Sequence, residues 1–148
     1  MGYGQGLTMF VLVATASMLV VSSTAKTIDV GGSEGWHFGF NYSVWALSNG
    51  PFYVNDTLVF KYDPPNSTTF PHNVFLLKNF WSYLKCNLSG ATLVGNETVG
   101  GGEGLKFVIN KFKPYYFACG EKNGLHCNEG RMKFAFIPLP FDRNETHR

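Results

Sequence analysis

The stretch that most constrains this chain runs from Tyr115 to Lys133: Tyr-Tyr-Phe-Ala-Cys-Gly-Glu-Lys-Asn-Gly-Leu-His-Cys-Asn-Glu-Gly-Arg-Met-Lys. An aromatic run ends in Cys119, a polar loop follows, and then come His126-Cys127, a glycine turn and Met132. Strand alternation puts Tyr115, Phe117 and Cys119 on one face. After the turn, Met132, Phe134 and Phe136 share a face opposite Arg131 and Lys133. Both faces that carry sulfur also carry aromatic rings, the mark of a buried side. The two runs therefore read as β-strands with one loop between them. A thiol, an imidazole and a thioether meet in this segment. A lone Cys-loop-His is usually incidental, however, and Met among Phe residues is usually core filler. A metal reading needs a second histidine at another strand start and separate employment for the other cysteines.

At 148 residues the chain is long enough for one domain. Its 45% hydrophobic and 16% aromatic content supplies a core and excludes disorder. A net charge of +2 without a Lys/Arg run argues against nucleic acid as a partner. Residues 1–25 hold no Asp, Glu, Lys or Arg; Leu7 to Val21 is apolar, and Ser22-Ser23-Thr24-Ala25 suits a signal peptidase. The run is short for a membrane span, which needs about 20 apolar residues. Residues 1–25 are thus expected to be a secretory signal, 26–141 the domain, and 142–148 a short polar tail unlike a lipid-anchor signal. Asn41, Asn55, Asn66, Asn87, Asn96 and Asn144 each open an Asn-x-Ser/Thr sequon. The expected product is a secreted, extracellular glycoprotein, monomeric and without a stable membrane anchor.

Three cysteines in an oxidising compartment leave one odd. Joining Cys119 to Cys127 closes only the short loop around His126. Joining Cys86 to Cys127 closes about 40 residues, worth up to roughly 4 kcal/mol in the chain-entropy model. That pairing also leaves Cys119, at the end of a buried strand, as the free thiol.

Along the domain, Thr27–Val30, Phe52–Val54, Leu58–Tyr62, His72–Leu77 and Leu105–Ile109 read as strands, with Tyr42–Ala46 a strand or a short helical turn. Lys78–Lys85 is the best helical candidate, and Gly95 and Gly100-Gly101-Gly102 mark loops. The expected fold class is all-β: a Greek-key antiparallel sandwich of about 7–8 strands with one short helix. His72 opens its strand and shares a face with Val74 and Leu76, which supplies the second imidazole. His37 and His147 fit no such constellation. Cys, His and a weak thioether are donors that favour copper.

At this point the chain resembles the phytocyanins, plant blue copper proteins of the cupredoxin fold, over about Ile28 to Ile137. The residues that carry the likeness are Val30-Gly31-Gly32-Ser33-Glu34-Gly35-Trp36, Asn41-Tyr42-Ser43-Val44-Trp45-Ala46, Asp56-Thr57-Leu58-Val59-Phe60-Lys61-Tyr62, Pro71-His72-Asn73-Val74, Tyr116-Phe117-Ala118-Cys119, His126-Cys127 and Gly130. The resemblance implies one type 1 copper held by His72, Cys119 and His126, an axial ligand after Gly130, and a Cys86–Cys127 disulfide. Two features depart from the family pattern. The Cys119–His126 segment is longer than usual, and Arg131 stands where the axial residue is expected, with Met132 one further on. A guanidinium stays protonated and cannot coordinate, so a one-residue bulge at Arg131 that turns Met132 inward is the expected solution.

The function expected from these residues is electron transfer, copper cycling between Cu(I) and Cu(II) with a small-molecule or protein redox partner. The alternative is a non-redox extracellular module binding cell-wall glycan or protein. Trp81 or Phe80 could serve that module, although core packing is the expected role of both. No enzyme is expected, since a thiol closing a buried aromatic strand suits a metal better than a substrate.

Overall fold

The computed structural model describes residues 24–140. The expected signal segment falls almost wholly outside the described residues, as do Asn144 and the polar tail. No helix among the described residues is long and apolar enough to cross a membrane.

Among the described residues, seven strands form two sheets. β1 (Thr27–Asp29), β2 (Thr57–Phe60) and β5 (Leu105–Val108) make one, in the order β1-β2-β5. β3 (Val74–Leu76), β4 (Thr92–Gly95), β6 (Tyr115–Ala118) and β7 (Lys133–Phe136) make the other, in the order β4-β3-β6-β7. The sandwich is the expected one, with two differences in its make-up. Pairing is antiparallel except between β1 and β2, which run parallel. Parallel neighbours cannot be joined by a hairpin and need a crossover. Here the crossover carries α1 (Tyr42–Asn49).

Helix is also more abundant than one short element: α1, α2 (Phe80–Lys85) and α3 (Leu125–Asn128) are all helical. The residues of α1 explain it. Asn41 caps its start by accepting from the Val44 amide, and Tyr42, Trp45 and Ala46, at helical spacing, are the buried positions. α1 packs on β7, with Trp45 edge-on to Phe134 at 5.4 Å. Phe52–Val54 forms no named strand, and Tyr53 pairs with Leu139 in an isolated bridge.

β4 is the strand that the glycines concealed. A Cβ on Gly95 would lie 2.4 Å from the Leu105 side chain of the opposite sheet. That glycine is there for close approach between layers, and it does not break the strand.

The core between the sheets is aromatic. Phe60 and Phe134 are buried and each in ring contact with the other and with buried Trp36 and Phe117, at 5.2–6.1 Å. Each buried side chain of this size contributes roughly 1.5–3 kcal/mol. Cys119 and Met132 belong to the same cluster and are fully buried, so strand parity read their faces correctly.

Candidate metal centre

The register of β3 against β6 builds the site. Phe75 pairs with Ala118 and Leu76 with Phe117. Continuing that register backwards sets Val74 beside Cys119 and Asn73 beside Gly120. His72, just before β3, therefore reaches the end of the sheet where Cys119 leaves β6. His126 arrives from α3 and not from an open loop. Gly124 starts α3 in a left-handed conformation, and the helix ends in a hydrogen bond from Glu129 N–H to Leu125 C=O.

The three donor atoms form a compact triangle. His72 Nδ1 to His126 Nδ1 is 3.2 Å, Cys119 Sγ to His126 Nδ1 is 3.7 Å, and Cys119 Sγ to His72 Nδ1 is 4.0 Å. The point equidistant from all three lies about 2.1 Å from each, close to the bond lengths of a first-row ion to imidazole and thiolate. All three residues are buried. One soft thiolate with two imidazoles in a trigonal set is the chemistry of a type 1 copper site, so the residues present fit that ion.

Electrostatics favour metal over protons at the nitrogens. Burial pushes His72 down to about 4, helped by the neighbouring His126 and His37. His126 is lowered too, by burial and then by Lys122. Both rings are neutral at pH 7 and offer lone pairs. Cys119 moves the other way: burial raises its thiol to about 11, against the backbone amides of Asn73 and Glu121 that stabilise the thiolate. Its proton must leave when a metal binds.

Asn73 ties the two ligand segments together, and sequence reasoning missed it. Its side-chain Oδ1 accepts from Gly120 N–H at 2.7 Å, its Nδ2 donates to Glu121, and its carbonyl accepts from Trp36 Nε1 at 3.0 Å. The signal available in the sequence was a buried-strand position filled by a carboxamide directly after His72. Burial and the adjoining Glu97 push the Glu121 carboxyl up.

The turn after α3 explains Arg131. Its φ is +53°, its guanidinium is exposed, and its Nη2 donates to Gly39 C=O at 3.1 Å. This left-handed residue absorbs the extra position, so Met132 turns inward. Met132 N–H donates to His126 C=O at 3.1 Å, and its C=O accepts from Cys119 N–H at 2.9 Å. Lys133 does not face open water as parity alone suggests. It is half-buried, with its ammonium 3.0 and 3.1 Å from the Tyr83 and Leu84 carbonyls and over the Tyr83 ring. Those are last-turn carbonyls of α2, which a cation satisfies.

Cys86 and Cys127 are joined, with Cα atoms 5.8 Å apart, and Cys119 is the free thiol. Of the sequons, Asn55, Asn66, Asn87 and Asn96 are exposed, and Asn41 is half-buried as the α1 cap. His37 is half-buried, with its ring paired with Glu34 at the surface. Beside His126 lies a cavity of about 670 Å³ walled by exposed Phe38, Phe70 and Leu125, with Lys122 at its edge.

A sandwich of this topology with a buried His-Cys-His triangle at one end defines a copper protein of the cupredoxin fold. A family profile described as a plastocyanin-like domain matches residues 36–131. Blue copper protein 1a of Medicago truncatula is 32% identical over 131 residues, covering 87% of this chain and 73% of the relative. Among solved structures, cucumber basic protein, a blue copper protein, is 32% identical with a TM-score of 0.58, covering 76% of this chain and 99% of that one. Cucumber stellacyanin, at 24% identity and a TM-score of 0.60 over 80% of this chain and 100% of that one, shares the fold. The chain belongs to the plastocyanin-like family and within it to the phytocyanins, and its cofactor is one copper.

Proposed function

We propose that the protein is a secreted electron carrier in which His72, Cys119 and His126 would hold the copper, with the Met132 sulfur as a further weak donor. The observation that carries this reading is the donor triangle, whose edges suit one first-row ion without rearrangement. Bound there, copper supplies a one-electron couple between Cu(I) and Cu(II). The chain supplies the rest. Asn73 fixes the Cys119 segment against the His72 segment, and α3 holds His126 by its backbone. Core aromatics exclude water from the thiolate. Backbone hydrogen bonds tie Met132 to His126 and Cys119, and its side chain is fully buried in the same core cluster as Cys119, which suits its sulfur as that further donor.

His126 and His72 both line the surface cavity, and exposed Phe38, Phe70 and Leu125 around it suit an apolar contact with a redox partner. Secretion fits the charge-free leader and the sequons. The reading assigns no bond-making or bond-breaking chemistry to the site.

The test is metal content and visible spectrum of the mature protein expressed with copper. One copper per chain and an intense thiolate charge-transfer band are expected, with Cys119→Ser losing the band while keeping a folded domain. A copper-loaded but colourless wild type overturns the redox reading and favours a non-redox binding module.

A further inference from the structure

The helix α2 presents large apolar side chains to solvent. Trp81 is 69% exposed, Phe80 50% and Leu84 46%, where core packing had been the expectation for the first two. A patch of this kind on a soluble domain marks an interaction surface. The platform beneath it is stiff. Phe80 lies over Tyr83 with ring centroids 6.4 Å apart, Tyr83 packs on Tyr116 at 5.7 Å, and Lys133 holds the carbonyls at the far end of the helix. The rings are thus displayed on a fixed base.

The groove that adjoins these rings is lined by lysines and by no acid, and the acid Glu129 shares a separate groove with Lys85. Lys78, Lys85, Lys111 and Lys113 are all exposed, and residues 78–87 and 109–119 contain no Asp or Glu. None of the four forms an ion pair with another described residue. Lys78 and Lys113 line one groove of about 300 Å³ with Asn79, Pro114 and Tyr116, directly before Phe80. The Lys113 ammonium sits 5.4 Å from the Tyr115 ring at that groove.

We infer that this face is a docking site for an acidic polysaccharide, a polyuronate chain. The flat exposed rings of Trp81 and Phe80 stack on the apolar faces of pyranose units. The lysines meet carboxylates repeated along the chain, with one uronate seated between Lys78 and Lys113. Rings alone would suit a neutral glycan and lysines alone any polyanion; the two together select a charged sugar polymer. The site does not involve the copper ligands and stands whether or not the electron-transfer reading does.

The experiment is affinity electrophoresis of the copper-loaded full glycoprotein in native gels containing polygalacturonate, with dextran as the neutral control. Retardation by polygalacturonate and not by dextran is expected, weakening as salt rises. Trp81→Ala should weaken it roughly tenfold, the loss of one aromatic anchor. Lys78→Gln with Lys113→Gln should do the same and flatten the salt dependence. The visible band and far-ultraviolet circular dichroism should not change in any variant. Retardation that survives Trp81→Ala would be simple ion exchange and would overturn the proposal, as would no retardation at low salt. Equal or stronger uptake by phosphatidylserine vesicles would also overturn it, assigning the face to a membrane.

Discussion

Replacing Asn73 tests whether one buried carboxamide holds the metal ligands in register. In Asn73→Ala, the buried Gly120 N–H loses its 2.7 Å acceptor and Glu121 loses its amide donor. A buried donor left unsatisfied costs about 1–3 kcal/mol and the second hydrogen bond about 1 more. The copper-free protein should therefore unfold about 2–4 kcal/mol more easily in urea, with an unchanged m-value. Asn73→Asp refines the test because it keeps the acceptor for Gly120. Its second oxygen then faces the Glu121 carboxyl, itself already pushed up by burial and Glu97. Two facing carboxylates bind a proton more tightly folded than unfolded, so this variant should regain stability as the pH falls from 7 towards 5. In the copper-loaded form both variants should shift or broaden the charge-transfer band, since Cys119 is no longer pinned to the His72 segment. An Asn73→Ala protein within about 0.5 kcal/mol of wild type would refute the clamp. So would an Asp variant that tracks the Ala variant at every pH.

Other outcomes follow from the same geometry. Copper uptake at pH 7 should release about one proton per ion, seen with a pH indicator in weak buffer, because the Cys119 thiol is protonated and both imidazoles are neutral. With His72 depressed to about 4, the unfolded state binds its proton more tightly. The copper-free protein should therefore hold that stability above about pH 6.5 and lose of the order of 3 kcal/mol as the pH falls towards 4, measured by urea midpoints. Met132→Gln should lower the reduction potential and Met132→Leu raise it, with Arg131→Ala near wild type; equal potentials along the Met132 series would exclude the sulfur as a ligand. Cys86→Ser should cost up to about 4 kcal/mol through loss of the closed loop, while leaving the band in whatever fraction stays folded.

What could be read without coordinates was whatever strand parity and donor chemistry determine. The inward faces of Tyr115, Phe117 and Cys119, and of Met132 and Phe134, follow from period two. The free thiol follows from loop length. Elements whose signal lies in a different period or in a partner were harder. α1 announces itself through Asn41 and the Tyr42, Trp45, Ala46 spacing, but its β-branched and aromatic content also suits a strand. β4 hid because Gly95 serves the packing of the opposite sheet, which no local pattern reports. The exposure of Trp81 and Phe80 could not be inferred from hydrophobicity, since α2 is too short to bury both its faces. Asn73 and the position of the Lys133 ammonium depend on neighbours 47 to 50 residues away in sequence.

The disulfide has a mechanical consequence. Cys86 closes α2, and Cys127 is the residue after His126 within α3. The helix that displays Trp81 and the helix that carries His126 are therefore one covalent strut. A pull applied to α2 reaches the imidazole through a few backbone bonds and one S–S bond, bypassing the hydrogen-bonded ladders of either sheet. The load path between the aromatic face and the metal end is as stiff as a bond, and strain imposed on the one is delivered to the other.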